Sequence, residues 1–255
     1  MKNKGLYLAA AAAVLVLAGC RHELQTRTFE LEDSVDAENF DASCNVSCSF
    51  EYVTGGVSQE VMDKINASII ANHLLFDEAD GATDVPAACK QWAASMLNGY
   101  SGEIEGFASD YDENDSWMLS FEYGRTGQFG DACKSRHLQT YTAAGNSYTG
   151  GAHGMYGIGV DVFDMTTGEI VREEDLFAEG YEEGVAALLA TSLEKYLAEA
   201  EEDADMMFGE PVPNGNFGVS EEGVTWTFNP YEIAPYALGI IDLTVSWADL
   251  KPYLK

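Results

Sequence analysis

Residues 228–239 read Phe-Asn-Pro-Tyr-Glu-Ile-Ala-Pro-Tyr-Ala-Leu-Gly, a composition that fits neither a regular helix nor a central strand. Its two prolines lack the backbone N–H that both structures use, which favours a turn or an excursion at a sheet edge. The runs on either side, at 223–228 and 240–247, are rich in strand-forming residues. The segment therefore predicts a rigid loop between two strands that presents Tyr231, Glu232 and Tyr236.

On both sides of this loop, apolar periodicity predicts groups of strands and helices. For the second half it predicts a hairpin at 153–172, a helix at 181–204 and closing strands after a loop at 209–218. For the first half it predicts a strand at 45–53, helices at 58–77 and 86–97, and strands at 115–123 and 134–143 around a turn at 124–130. Because strands and helices do not alternate one by one, we expect an α+β fold of two strand-helix-strand-strand units, with antiparallel sheets and helices packed on one side.

The N-terminus has the organisation of a bacterial lipoprotein signal. Lys2 and Lys4 precede an apolar run at 6–17, and small residues lead from this run to Cys20. The run is too short to span a bilayer core of about 30 Å as a helix. We therefore predict a signal peptide over 1–19 and acylation of Cys20, with palmitate among the chains, as a membrane anchor in the cell envelope. An ordinary secretory signal with a chance cysteine is the alternative.

Residues 20–42 are polar and acidic and show little periodicity, which predicts a tether between the lipid and the fold. Arg21 follows the predicted lipidated cysteine, in the place where an aspartate resembles an inner-membrane retention signal. This favours attachment to the outer membrane, with the protein facing the periplasm. Beyond the signal, the sequence offers no apolar run long enough to cross a membrane.

The charge of the chain excludes one class of partner and favours another. Its 13 basic and 43 acidic residues give a formal net charge of −30. Phosphate binding requires the opposite sign, so nucleic acid is excluded as a partner. A strongly acidic surface attracts cationic partners through long-range steering. The alternative interpretation is that the charge serves solubility and spacing from an anionic membrane.

Four cysteines remain once Cys20 is acylated, an even number in an oxidising compartment, which predicts two disulfides. Cys44 and Cys48 alternate with polar residues as in a strand, where they would lie about 13 Å apart, beyond the roughly 7 Å that a disulfide spans. We therefore expect them to pair with Cys89 and Cys133, in either order. A turn at 44–48 would remove this argument. A zinc site is the competing use, but the sequence has no Cys-x-x-Cys pair.

The common catalytic and metal-binding patterns are absent from the sequence. It has no His-Glu-x-x-His, no Gly-x-Ser-x-Gly and no phosphate-binding Gly-x-x-x-x-Gly-Lys. Residues 110–115 begin like a calcium loop, but Asp115 replaces the required glycine and Phe121 the final glutamate. We therefore predict no catalytic residues, no metal site and no cofactor.

His153 is the residue for which we advance the most specific hypothesis. Gly150 and Gly151 allow backbone geometries closed to other residues and can present this imidazole at a defined angle. If the two halves pack face to face, the side chains of 231–236 could lie beside it and form a polar, aromatic binding patch with Tyr148 at its margin. The alternative is a simple turn, with the imidazole bound to a backbone carbonyl and the tyrosines serving interdomain packing.

Several motifs in this order and spacing resemble those of a known family. They are Tyr-Thr-Gly-Gly-Ala-His-Gly at 148–154, Asp-Val-Phe-Asp-Met-Thr-Thr-Gly at 161–168, Asp-Leu-Phe at 175–177 and Tyr-Glu-Ile-Ala-Pro-Tyr-Ala at 231–237. The set is similar to envelope proteins in which a domain of unknown function, DUF3298, follows a partner domain, DUF4163. The resemblance implies a DUF4163-like domain at 43–158 and a DUF3298-like domain at 159–255.

That family includes the extracellular part of a lysozyme-sensing anti-sigma factor and the non-catalytic part of a peptidoglycan deacetylase, so the resemblance implies an association with cell-wall glycans and their hydrolases. Neither signalling nor deacetylation is expected here. The predicted function is a non-enzymatic, envelope-anchored lipoprotein that binds a cationic, lysozyme-like protein or a cell-wall glycan. The alternatives are a peptidoglycan hydrolase with Glu232 and His153 as acid and base, and a structural component of an envelope assembly.

Overall fold

The structure is a computed structural model that describes residues 23–38, 41–107, 119–200 and 204–255. The predicted signal peptide, Cys20 and the acidic segment at 110–115 lie outside the described residues. The chain divides into two compact units, which we describe separately. The first unit comprises Met1–Gln128 and Ala144–Tyr156, and the second comprises Phe129–Ala143 and Gly157–Lys255. The predicted domains at 43–158 and 159–255 are a family assignment and stay a prediction.

The secondary structure confirms an α+β fold. A five-stranded sheet has the order β1-β2-β3-β4-β5, and a three-stranded sheet has the order β6-β7-β8. The strands are β1 (Gln25–Asp36), β2 (Ser43–Gly55), β3 (Phe121–Cys133), β4 (Leu138–Tyr148), β5 (Met155–Asp164), β6 (Phe217–Val219), β7 (Gly223–Phe228) and β8 (Ile241–Ser246). The α-helices are α1 (Gln59–His73), α2 (Val85–Phe107), α3 (Glu173–Leu176), α4 (Glu182–Ala200) and α5 (Trp247–Leu250).

One strand pair departs from the predicted antiparallel sheets. β2 and β3 run parallel, with Cys44 opposite Phe121 and Phe50 opposite Gly127. A parallel pair needs a long crossover connection, and α1 and α2 supply it. β3 also continues through the glycines at 124, 127 and 130, where a turn was expected. Glycines in a strand can mark a close approach rather than a break, and Gly124 is such a case, because a Cβ there would lie 2.2 Å from Oδ1 of Asn146.

The tether predicted at 20–42 is wrong for most of that segment, because β1 occupies it. β1 pairs antiparallel with β2, from Gln25 opposite Gly55 to Asp36 opposite Ser43. Phe29, Leu31 and Val35 are partly buried, whereas the acidic residues of the strand are exposed. Side chains that alternate in this way between partly buried and exposed are typical of a strand with one face toward solvent. Because the exposed face of β1 carries many carboxylates, the composition of this segment resembles that of a linker.

The two predicted disulfides are also wrong. Cys44, Cys48, Cys89 and Cys133 are all free and buried. Cys44 and Cys48 do lie on the buried side of β2, as the alternation predicted, with exposed fractions of 0% and 2%. In this position a thiol packs as a small apolar side chain, so burial explains the cysteines without a covalent bond. The thiol of Cys89 on α2 is hydrogen-bonded to Cys48.

We expect these buried thiols to make the protein sensitive to alkali. Burial, followed by the charge of Glu103, raises the pKa of Cys44 to about 11. The hydrogen bond with Cys48, followed by burial, raises the pKa of Cys89. A thiol that is neutral when folded but ionises once unfolded stabilises the fold fully below the unfolded pKa. This stabilisation decreases as pH rises toward the folded value.

The free energy of unfolding should therefore be constant up to about pH 8 and then fall by about 1 kcal/mol per pH unit for each such thiol. Urea denaturation in a reducing buffer at a series of pH values up to about pH 10 measures this dependence. Cys44→Ala should show a shallower decline than the parent chain, whatever its stability at neutral pH. A pH-independent free energy over the whole range would contradict the prediction.

The core of the second unit lies between α4 and the three-stranded sheet. Val185, Leu189 and Leu193 recur every four residues on the buried face of α4, as the periodicity predicted. Against them lies an aromatic stack in which the rings of Phe177 and Trp226 are 6.0 Å apart. The side chain of Trp226 is fully buried. This core supports β7, and the strand ends where the proline-containing loop begins.

Across the ranges that the structure describes, no helix is both long and apolar enough to cross a membrane.

Candidate functional site

The loop after β7 is the rigid connection that its prolines predicted. β7 ends at Phe228 and β8 begins at Ile241, and only a short 3₁₀-helix at Tyr236–Leu238 interrupts the irregular backbone between them. Two turn hydrogen bonds close the first part, from the N–H of Tyr231 to the carbonyl of Ala234 at 3.0 Å and from the N–H of Glu232 to the carbonyl of Asn229 at 3.1 Å. Ile233 and Ala234 are buried and anchor the loop.

Tyr231 has an unusual backbone and an exposed side chain. Its φ of +71° lies in the left-handed region, which is unfavourable for a bulky residue. Its side chain is 51% exposed, so burial of the ring does not compensate for this backbone. Strained residues persist where the surrounding structure holds them, and they cluster at functional sites. The geometry therefore singles out Tyr231 within this loop, and a role in binding stays a prediction.

Tyr236 and Glu232 complete a surface that we call the tyrosine platform, defined by Tyr231, Glu232 and Tyr236. The two tyrosine rings lie 5.8 Å apart at an interplanar angle of 35°. The carboxylate of Glu232 accepts hydrogen bonds from Nδ2 of Asn214 at 3.2 Å and Nδ2 of Asn229 at 3.3 Å. A fixed carboxylate beside two phenol rings can receive a cation through an ion pair and through the ring faces.

The two asparagines are themselves tied to strands, which keeps the carboxylate in place. Oδ1 of Asn229 accepts from the N–H of Ile158 at 2.7 Å, and its Nδ2 donates to the carbonyl of Ile158 at 3.0 Å. Nδ2 of Asn214 also donates to the carbonyl of Thr227 at 3.0 Å. Our sequence reasoning missed both residues. The available signal was weak, because asparagine before proline or glycine is also an ordinary turn residue.

His153 and Tyr148 lie in the first unit, His153 on the loop between β4 and β5 and Tyr148 at the end of β4. Gly150 and Gly151 have φ values of +87° and +91°, the left-handed geometry that the glycine pair predicted. Tyr148 donates its hydroxyl to the carbonyl of Gly151 at 3.1 Å. Nδ1 of His153 lies 2.8 Å from the carbonyl oxygen of Gly154. Because a carbonyl only accepts, this contact requires the proton on Nδ1.

The predicted binding residues thus fall into two groups. The tyrosine platform belongs to the second unit, whereas Tyr148 and His153 belong to the first. Within the second unit the structure brings the rings of Tyr231 and Tyr236 together, and Glu232 follows Tyr231 in the same loop with its carboxylate bonded to Asn214 and Asn229. Within the first unit the imidazole of His153 contacts the carbonyl of Gly154, as the simple-turn alternative expected, and the phenol of Tyr148 donates to the carbonyl of Gly151. A role of either group in binding stays a prediction.

A second surface feature of the second unit is a polar cleft of about 270 Å³ lined by hydroxyls and two carboxylates. Its hydroxyls are engaged within the unit. Thr140 donates to the carbonyl of Val219 at 2.9 Å and accepts from its N–H at 2.8 Å, and Thr227 donates to Asp242 at 2.7 Å. The first pair of bonds links β4 to β6, and the second links β7 to β8, so we assign these two threonines a structural role. In the part of the chain with described coordinates, no three metal-ligating side chains converge.

The second unit carries a recognisable family match. Residues 174–248 match the family model described as "Protein of unknown function (DUF3298)". These residues include the tyrosine platform and the whole of α4, the long helix that precedes it. The resemblance of the first part to DUF4163, and the similarity to anti-sigma factors and a deacetylase, stay predictions. No curated protein matches the chain.

Two solved structures share the fold. A member of the DUF3298 family from Bacteroides fragilis NCTC 9343 is 22% identical and superposes with a TM-score of 0.79, covering 91% of this chain and 94% of that one. A DUF3298 family protein from Pseudomonas aeruginosa PAO1 is 16% identical with a TM-score of 0.64, covering 93% of this chain and 97% of that one. At these identities the likeness shows a common fold.

Proposed function

We propose that this chain is a non-enzymatic lipoprotein, anchored in the cell envelope through Cys20, that binds a cationic protein of the lysozyme type. The tyrosine platform is the contact surface. A lysine or arginine side chain of the partner lies against the rings of Tyr231 and Tyr236 and pairs with the carboxylate of Glu232. The observation that carries the proposal is the exposed ring of Tyr231, held in a left-handed backbone beside a fixed carboxylate.

The distribution of the chain's own cations supports a cationic partner. Arg125 and Arg136 lie over aromatic rings, at 5.2 Å from the Trp92 centroid and 4.3 Å from the Trp247 centroid. Lys90 lies 5.6 Å from the ring of Phe29, and Lys255 donates to the backbone carbonyl of Glu174. Among the described side chains, none of these four cations forms an ion pair with a carboxylate. The net charge of −30 then acts at long range on a basic partner.

A direct binding experiment tests the proposal with a cationic lysozyme as the probe. We expect saturable binding at low ionic strength that weakens steeply as salt rises through about 0.15 M, because exposed charges are screened over about 8 Å there. Glu232→Gln should weaken binding about tenfold, since it removes a charge-assisted contact. Glu183→Gln removes a charge from an exposed position on α4 and should change affinity less than twofold. Absence of binding at low salt, or equal affinity of both variants, would overturn the proposal.

The variant Tyr231→Gly distinguishes a role of the Tyr231 ring in binding the partner from a role in packing within the protein. Glycine adopts a φ of +71° at little steric cost, so we expect the free energy of unfolding to stay unchanged or to rise by about 1 kcal/mol. Loss of the exposed ring should at the same time abolish detectable lysozyme binding. Urea denaturation and the binding assay on the same preparation measure both effects. A loss of more than about 1 kcal/mol of stability would instead make the ring a structural brace.

The hydrolase alternative, with Glu232 and His153 as acid and base, is a separate hypothesis. Turnover of labelled peptidoglycan that is abolished by Glu232→Gln would support it. A wall glycan as the ligand in place of a protein is an outcome of the same binding assay, with soluble muropeptides as the probe.

A further inference from the structure

The first unit contains a cleft of about 330 Å³ that lies among α2, β3, β4 and β5. Its walls combine aromatic and thioether side chains with one guanidinium and one amide. The residues that matter for its chemistry are Trp92, Met96, Tyr123, Arg125, Asn146 and Tyr156. The cleft has the volume of a small-ligand site, about 300 Å³ or more, and its walls expose polar and apolar surface in similar amounts.

Arg125 is the charged group of this cleft, and it is held firmly. Its Nη1 donates to the carbonyl of His73 at 2.6 Å and to that of Leu74 at 3.3 Å, at the C-terminal end of α1. The guanidinium lies 4.7 Å from the ring centroid of Phe76 and 5.2 Å from that of Trp92. These contacts fix its plane. They also place a cation at the negative end of a helix dipole.

The contacts of Arg125 leave more than half of its donors unused. A guanidinium has five N–H groups, and the two carbonyls occupy only those of Nη1. Among the side chains that the structure describes, none accepts a hydrogen bond from Nε or Nη2, and no carboxylate lies within ion-pair distance of the guanidinium. Burial lowers the pKa of Arg125, with a smaller opposing effect of Cys48. Within the described part of the chain, the partly buried guanidinium therefore keeps donors for a further acceptor.

A second buried donor in the wall of the same cleft lacks a partner. Trp92 is 4% exposed, and among the residues that the structure describes its indole Nε1 has no hydrogen-bond partner. Leaving a buried donor unpaired costs about 1–3 kcal/mol.

Gly124 shapes the opposite wall of the cleft. A Cβ at this position would lie 2.2 Å from Oδ1 and 3.0 Å from Cγ of Asn146. Only glycine therefore lets the Asn146 amide lie against β3 beside the guanidinium-bearing residue. The amide is exposed and provides one more polar group at the mouth of the cleft.

We propose that this cleft binds a ligand that carries a carboxylate on an apolar or aromatic body, such as a small organic acid or the C-terminus of a peptide. The carboxylate pairs with Nε and Nη2 of Arg125 in the two-point geometry that a guanidinium favours. The apolar body lies against Trp92, Met96 and Tyr156. This site is independent of the tyrosine platform in residues, ligand charge and unit.

Titration of the ¹⁵N-labelled protein with matched probes tests the proposal. The probes are phenylacetate and its neutral amide, and the dipeptide N-acetyl-Ala-Phe with and without C-terminal amidation. The readout is the indole N–H resonance of Trp92, identified by its loss in Trp92→Phe. We expect a saturable shift with both carboxylates below about 10 mM and at least tenfold weaker binding of both amides. Tighter binding of the peptide than of phenylacetate would identify a peptide terminus as the source.

Variants of Arg125 and a matched control complete the experiment. Arg125→Gln and Arg125→Lys should each weaken carboxylate binding at least tenfold, because neither keeps the two-point donor geometry. Arg27→Gln removes the same charge from an exposed position on β1 and should leave affinity within twofold. The comparison of acid with amide in the unmodified protein remains decisive if an Arg125 variant unfolds. Equal binding of acids and amides, or no saturable shift with either acid, would overturn the proposal.

Discussion

Glu173→Ala is expected to destabilise the second unit by about 3–5 kcal/mol. The carboxylate is buried, with 8% of the residue exposed, at the first turn of α3. It accepts hydrogen bonds from Nε1 of Trp226 at 2.7 Å, the hydroxyl of Tyr181 at 2.8 Å and the N–H of Gly215 at 3.0 Å. Its removal leaves three donors without this acceptor, two of them on side chains of the aromatic core. Urea denaturation followed by tryptophan fluorescence measures the loss.

Two further variants serve as references for the size of the stability loss in Glu173→Ala. Glu173→Gln keeps an acceptor for Trp226 and Gly215 and can donate to the hydroxyl of Tyr181, so we expect a smaller loss of about 1–2 kcal/mol. Glu174→Ala removes the neighbouring carboxylate, which is exposed, and should change stability by less than about 0.5 kcal/mol. Equal effects of Glu173→Ala and Glu174→Ala would show that the buried hydrogen bonds make no net contribution.

Asn66→Ala is expected to destabilise the first unit by about 2–4 kcal/mol. Asn66 lies on the buried face of α1 with an exposed fraction of 5%. Its Oδ1 accepts from the N–H of Val53 and its Nδ2 donates to the carbonyl of Val53, both at 2.9 Å. The pairing of β2 with β3 ends at Phe50. At Val53 the side-chain amide of Asn66 therefore supplies hydrogen bonds to β2 that β3 no longer supplies. Alanine leaves two buried backbone groups without a partner.

A matched substitution on a neighbouring helix isolates this effect. Asn98→Ala, at an exposed position on α2, should be neutral or slightly stabilising, because alanine has the higher helix propensity. Asn66→Asp keeps the acceptor for the N–H of Val53 but loses the donor, so we expect an intermediate or larger loss. Hydrogen exchange at the amide of Val53 is a local readout, and it should accelerate in Asn66→Ala. Unchanged protection there would contradict the assigned role.

Features that depend on near neighbours in the sequence were predicted well. The α+β class, the buried face of α4 and the glycine turn before His153 all follow from periodicity or from backbone restrictions at single residues. The same is true of the loop at 228–239, whose prolines exclude a regular ladder wherever the chain packs. The cysteine alternation in β2 was interpreted correctly as a strand, but it carried no information on whether the thiols would form covalent bonds.

Features that depend on partners distant in the sequence were missed. β1 has a linker-like composition, and only its register with β2 explains its alternation. The position of Glu173 in a helix rich in acidic residues gives no sign that its carboxylate is buried under Trp226. Nor does the sequence around Arg125 indicate that, among the side chains that the structure describes, its guanidinium has no carboxylate partner.

By itself the sequence determined the rigid loop that carries Tyr231, Glu232 and Tyr236, because proline restricts the backbone locally and without reference to the rest of the chain. It also determined the fold class, since hydrophobic periodicity reports which face of each element is buried. Only the tertiary structure decided that Tyr231 has a left-handed backbone, that two asparagines hold Glu232, and that Arg125 and Trp92 share a cleft with unused donors. These facts arise from contacts between residues far apart in the chain, and such contacts leave no local pattern in the sequence.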